Sequence, residues 1–62
     1  MKPLYDKIEQ DLKQFGISAA AVIDQDNYIM ISFNSREDMN LYKIVGKYTE
    51  ADYMGLVLVI WK

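Results

Sequence analysis

Apolar positions fall into two rhythms along this chain. Leu4, Ile8, Leu12 and Phe15 recur at spacings of four, four and three, with Asp6, Lys7, Glu9, Gln10, Asp11, Lys13 and Gln14 between them. That period predicts an amphipathic helix with one apolar stripe. Pro3 suits its first turn, where the missing N–H costs nothing, and Gly16 suits the left-handed position just past its end. Residues 17–23 are apolar except for Ser18, and Asp24-Gln25-Asp26-Asn27 are turn formers. Residues 28–33 resume a strand pattern, so 17–33 read as a β-hairpin.

A second helix follows. Ser35 is its expected N-cap, and Glu37 and Asp38 put negative charge at the positive end of the helix dipole. Leu41, Ile44, Val45 and Tyr48 form the expected core stripe, and Lys43 and Lys47 sit toward the C-terminal end. Gly46 costs such a helix up to about 1 kcal/mol relative to alanine unless it permits close packing on the sheet. After a short connection, residues 53–61 read as the third strand. From Met54 to Trp61 that strand has no polar side chain. A strand with one wet face alternates apolar and polar residues; this one does not, and reads as covered on both faces.

The predicted order is α-β-β-α-β in a single small α+β domain. Its three-stranded sheet has both helices on one face, because each helix has one apolar stripe. A right-handed crossover through the second helix sets the third strand parallel to the second and at an edge of the sheet. Neither proline nor an inward-pointing charge blunts it, and Lys62 guards only its end. The face away from the helices would carry either Tyr53, Val57, Val59 and Trp61 or Met54, Leu56, Leu58 and Ile60, joined by Tyr28 and Met30. The expected interaction residues are Tyr28, Met30, Tyr53, Val57, Val59 and Trp61, a larger apolar patch than monomers usually expose.

Length sharpens that expectation. A chain of 62 residues buries only about 60% of the surface its unfolded form exposes, so small domains lean on disulfides, metals or oligomerisation. Cysteine and histidine are both absent, which leaves oligomerisation. Burying the five side chains from Leu56 to Ile60 would contribute at most roughly 8–15 kcal/mol, comparable with the whole net stability of a domain. A homodimer is expected, by paired edges or stacked open faces, and a foreign protein could dock by the same physics.

Charge and chemistry narrow the remaining classes. Nine acidic and seven basic residues give a net charge of −2, and the bases are scattered, with no stripe to track a phosphate backbone. The N-terminal pattern lacks an apolar signal region, and the C-terminal run is about half of a membrane-spanning helix. A cytoplasmic protein with no membrane partner is the expectation. There is no Cys-His pair and no Ser-His-Asp triad. Asp24, Asp26 and Asn27 resemble the start of a calcium loop, but Tyr28 holds the next ligand position and no glycine follows where one is needed. Neither metal, cofactor nor catalysis is expected.

Tyr28, Tyr53 and Trp61 raise an alternative, stacking on single-stranded nucleic acid or a nucleotide, with only Arg36, Lys43, Lys47 and Lys62 to supply positive charge. The element order resembles the helix-first KH domains; those carry a Gly-x-x-Gly loop between two helices before the last strand, which is missing here. The segment from Phe15 to Asp24 is loosely similar to the first strand of roadblock-type dimerisation domains. The function expected first is a non-enzymatic protein-interaction module. It would be a homodimer acting as a stoichiometric inhibitor or adaptor of the kind phages and mobile elements encode.

Overall fold

The computed structural model describes residues 2–62, which form helix α1 (Pro3–Gln14), strands β1 (Ala19–Asp24) and β2 (Tyr28–Phe33), helix α2 (Arg36–Val45), and strands β3 (Asp52–Met54) and β4 (Val57–Trp61). Pro3 opens α1 without a side-chain cap. A Schellman closure ends it: Ile17 N–H donates to the Leu12 carbonyl at 2.9 Å and Gly16 N–H to the Lys13 carbonyl at 3.4 Å. Gly16 supplies the left-handed residue this closure needs, at φ +65°. Leu12 and Ile17, at its two ends, are both buried. This corrects the expected stripe. The helix stops at Gln14, so Phe15 turns outward and Ile17 takes its place in the core.

Ser35 caps α2, its hydroxyl accepting from Asp38 N–H at 3.1 Å. The buried stripe of α2 is Met39 and Tyr42, whereas Leu41 and Ile44 are 44% and 67% exposed, contrary to expectation. The Tyr42 ring decides the rotation. It lies 6.0 Å from Phe33 and 5.6 Å from Tyr48, and its hydroxyl reaches Asp11 Oδ2 at 3.3 Å. A tyrosine whose polar tip is satisfied buries more surface than a leucine, and the helix turns to accommodate it. Val45 and Tyr48, common to both stripes, are half-buried.

The expected third strand is two strands. Gly55-Leu56 is a two-residue turn with positive φ only at its first position, where Gly55 has φ +60°, the type II′ pattern for a tight hairpin. The sheet order is β1-β2-β4-β3, antiparallel at every step. So β4 is interior and not an edge: it pairs Ile29↔Ile60 and Met30↔Val59 on one side, Asp52↔Val59 and Met54↔Val57 on the other. The edges are β1 and the three-residue β3. Only the three-residue β3 runs parallel to β2, one strand apart; β4, the greater part of the expected third strand, is antiparallel to it, contrary to expectation.

Both helices cover the same face. Ile8 and Leu12 of α1 and Met39 and Tyr42 of α2 form one buried cluster with Ile29, Ile31 and Phe33 of β2 and Leu58 and Ile60 of β4. No polar or charged residue is buried among the described residues, although Tyr42 brings its hydroxyl.

Two local features give opposite mutational outcomes. Gly46 has an ordinary φ of −85°, but an added Cβ would lie 2.7 and 2.8 Å from the Tyr48 ring and 2.9 Å from the Tyr42 carbonyl oxygen. Lys47, next to it, holds the left-handed conformation at φ 63°. Gly46→Ala is therefore expected to destabilise by about 1–3 kcal/mol through overpacking. Lys47→Gly should stabilise by roughly 0.5–1 kcal/mol by relieving left-handed strain. Urea denaturation of the two variants checks the signs, and the reverse order would contradict this geometry.

Burial, followed by the neighbouring Tyr48 and Asp11, holds the Tyr42 phenol well above its ordinary pKa. The folded state thus keeps this proton longer than the unfolded chain. The stabilisation is complete below the unfolded pKa of about 10 and fades as pH rises past it. The urea midpoint should fall above that pH, and Tyr42→Phe should flatten the fall while costing about 1 kcal/mol or less at neutral pH. An unchanged alkaline limb in the variant would refute the assignment.

Candidate interaction face

Strand alternation and register assign every side chain on the helix-free face. Three rows cross the sheet. Ala21, Ser32, Val57 and Met54 make one, Ile23, Met30, Val59 and Asp52 the next, and Tyr28 and Trp61 the last. Their inward-pointing neighbours Ile29, Ile31, Leu58 and Ile60 are all buried, so the two faces are cleanly separated. Ile23 is 43%, Trp61 59% and Met54 82% exposed; Tyr28, Met30, Val57 and Val59 are half-buried by their neighbours in the sheet.

Trp61 ties the face together. Its ring meets Tyr28, the residue opposite it in the ladder, edge-on at 5.3 Å and 62°. Its indole N–H donates to Asp52 Oδ2 at 2.7 Å, which links β4 to β3. Such a cross-strand aromatic pair contributes about 0.5–1.5 kcal/mol beyond its buried area.

The structure brings together Tyr28, Met30, Val57, Val59 and Trp61. It does not bring Tyr53 to them. Counted along one continuous strand, Tyr53 shares a face with Val57; across the Gly55-Leu56 turn it pairs with Leu58 and so lies on the helix side. There Lys43 Nζ stands 4.3 Å from the centre of its ring, and Tyr53 remains 55% exposed at the sheet margin. The same change of parity brings Met54 and Asp52 onto the open face. Ile23 also belongs to it, and alternation from Met30 across the β1–β2 hairpin would have found it.

Electrostatics distinguish the uses such a face can have. None of the four strands contains lysine or arginine. Lys62, beside Trp61 in the chain, turns to the helix side, where its Nζ lies 2.6 Å from Asp24 Oδ1. That oxygen is enclosed and has no aligned hydrogen bond, so the ion pair is its contact. Lys43 is engaged over Tyr53, and Arg36 and Lys47 belong to the ends of α2. The charge that does sit on the open face is a carboxylate, Asp52. Stacked bases bring phosphates with them, and this face offers no cation to meet those phosphates.

Among the described residues no three Asp, Glu, His or Cys side chains converge as a metal site would require. Nor, among the described residues, is any helix long and apolar enough to cross a membrane. Comparisons with protein-family models, curated proteins and solved structures find no match to this chain.

Proposed function

We propose that the chain is a non-enzymatic protein-interaction module, working as a homodimer, that acts by occupying a surface of another protein. The observation that carries this reading is the open sheet face, where Ile23, Met30, Val57, Val59, Met54 and the Tyr28–Trp61 pair lie side by side with no basic residue on any strand. Four strands at about 4.8 Å spacing and about 3.3 Å per residue make a face of roughly 350 Å². That is the size of the largest apolar patch on many monomers and no larger, short of the excess that the sequence led us to expect, and such patches are often functional. Apart from the Tyr28 phenol, Asp52 is the ionisable group on it, and its carboxylate is held by the Trp61 indole. General acid–base work needs a group positioned against the proton that a substrate gains or loses, and a carboxylate already held on an open sheet has no pocket to place one there. The reading of a stoichiometric inhibitor or adaptor follows from a surface that offers contact and no reactive pair. The alternative of nucleic-acid binding by Tyr28 and Trp61 is disfavoured by the absence of strand cations.

Met30→Lys places a charge at the middle of the face in a side chain of similar length, while Ile44→Lys changes an exposed position on α2. With folding verified by circular dichroism, proteins from the native host retained by the wild type should also be retained by Ile44→Lys and lost with Met30→Lys. One identical set for all three proteins would overturn the assignment. Single-stranded oligonucleotide at low salt should leave Trp61 emission unchanged; quenching would favour the alternative.

A further inference from the structure

Strand β1 is the longer of the two sheet edges, six residues against three. The bond from Gln25 N–H to the Tyr28 carbonyl at 2.9 Å sets the phase of the hairpin ladder. By alternation Ala21 and Ile23 turn their backbone groups toward β2, and Val22 and Asp24 turn theirs outward. Ala-Ala-Ala-Val-Ile-Asp has no proline or lysine to discourage pairing, and its one irregularity, the bulge between Ala19 and Ala21, lies at its beginning. Between this edge and α1 runs an open groove of about 430 Å³, lined by Glu9, Leu12, Lys13, Ile17 and Val22 together with the small residues Ala19, Ala20 and Ala21.

We infer that two copies of the chain join edge to edge through β1, about a two-fold axis beside Val22, into one continuous antiparallel sheet. The charges on α1 point to a second copy as the occupant of the groove. Lys7 and Asp11 pair with each other at 2.8 Å on the side facing α2, where Asp11 also meets Tyr42. Glu9 and Lys13, one turn apart and exposed, line the groove with no ion pair of their own among the described residues. A two-fold axis sets the two α1 helices antiparallel, so Glu9 of each copy faces Lys13 of the other. Edge pairing also leaves both open faces free and contiguous. Their joined area of roughly 700 Å² approaches the ~800 Å² that each partner contributes to a standard interface. This step rests on the homodimer proposed above and locates its seam.

Sedimentation equilibrium of Glu9→Lys, Lys13→Glu and the double swap tests it, since both positions are exposed and tolerate reversal. Each single reversal sets like charges opposite each other at both symmetry-related contacts and should weaken dimerisation about tenfold. The double swap restores opposite charges and should recover the wild-type affinity. Met30→Lys, on the open face, should leave the dimer intact. A wild-type chain that stays monomeric at high micromolar concentration would overturn both this inference and the homodimer reading. Reversals without effect, a swap that fails to rescue, or a dimer dissociated by Met30→Lys would overturn the β1 seam alone.

Discussion

A left-handed φ at Gly55 reverses the chain inside an otherwise uninterrupted apolar run, and the place of every later residue follows from that reversal. Extended through this point, residues 53–61 would form one long strand with a row of unpaired N–H and C=O groups along its outer side. Reversed, Val57–Trp61 enters the sheet between β2 and Asp52–Met54, and both of its sides find backbone partners. The Phe33 N–H to Leu56 carbonyl bond at 2.9 Å and the Lys62 N–H to Asn27 carbonyl bond at 2.9 Å bracket the β2–β4 ladder. They fix its phase, so Leu58 and Ile60 bond toward β2 while Val57 and Val59 bond toward β3. Buried backbone groups need such partners, and a strand covered on one face by helices leaves few other places to find them.

The same reversal changes what the apolar run does for stability. Its inward side chains, Leu58 and Ile60, complete a core with Ile8, Ile29, Ile31, Met39 and Tyr42 inside one chain. The fold therefore closes without a second subunit. Its outward side chains are shielded in part by strands on both sides. What the fold leaves exposed is a face of moderate size, smaller than the interfaces of obligate dimers.

Much of the fold was legible because it is written in local chemistry. Gly16 and Ser35 settle hydrogen bonds within a turn of themselves, Pro3 brings no N–H to a helix start that could not pair one, and each sits where its local pattern implied. Gly55 was harder. A lone glycine in a strand pattern can mark a bulge, a close approach or a turn, and its neighbour Leu56 is no turn former. Without polar punctuation the hairpin was hidden inside the hydrophobic run. The stripe of α2 departs from its local pattern for a tertiary reason, since Tyr42 is drawn inward by Phe33 and Asp11, both outside the helix. On the candidate face, Tyr28, Met30, Val57, Val59 and Trp61 were recoverable because their alternation does not cross the turn. Tyr53 and Met54 exchanged sides because theirs does.

Amide hydrogen exchange at Val57 and Val59, measured on dilute protein, tests the interior placement of β4 most directly. These two N–H groups point away from β2, so β3 alone can protect them. Protection of Val57 and Val59 alongside Leu58 and Ile60 is the predicted result. Free exchange at Val57 and Val59 with protection only at Leu58 and Ile60 would make β4 an edge and contradict the account.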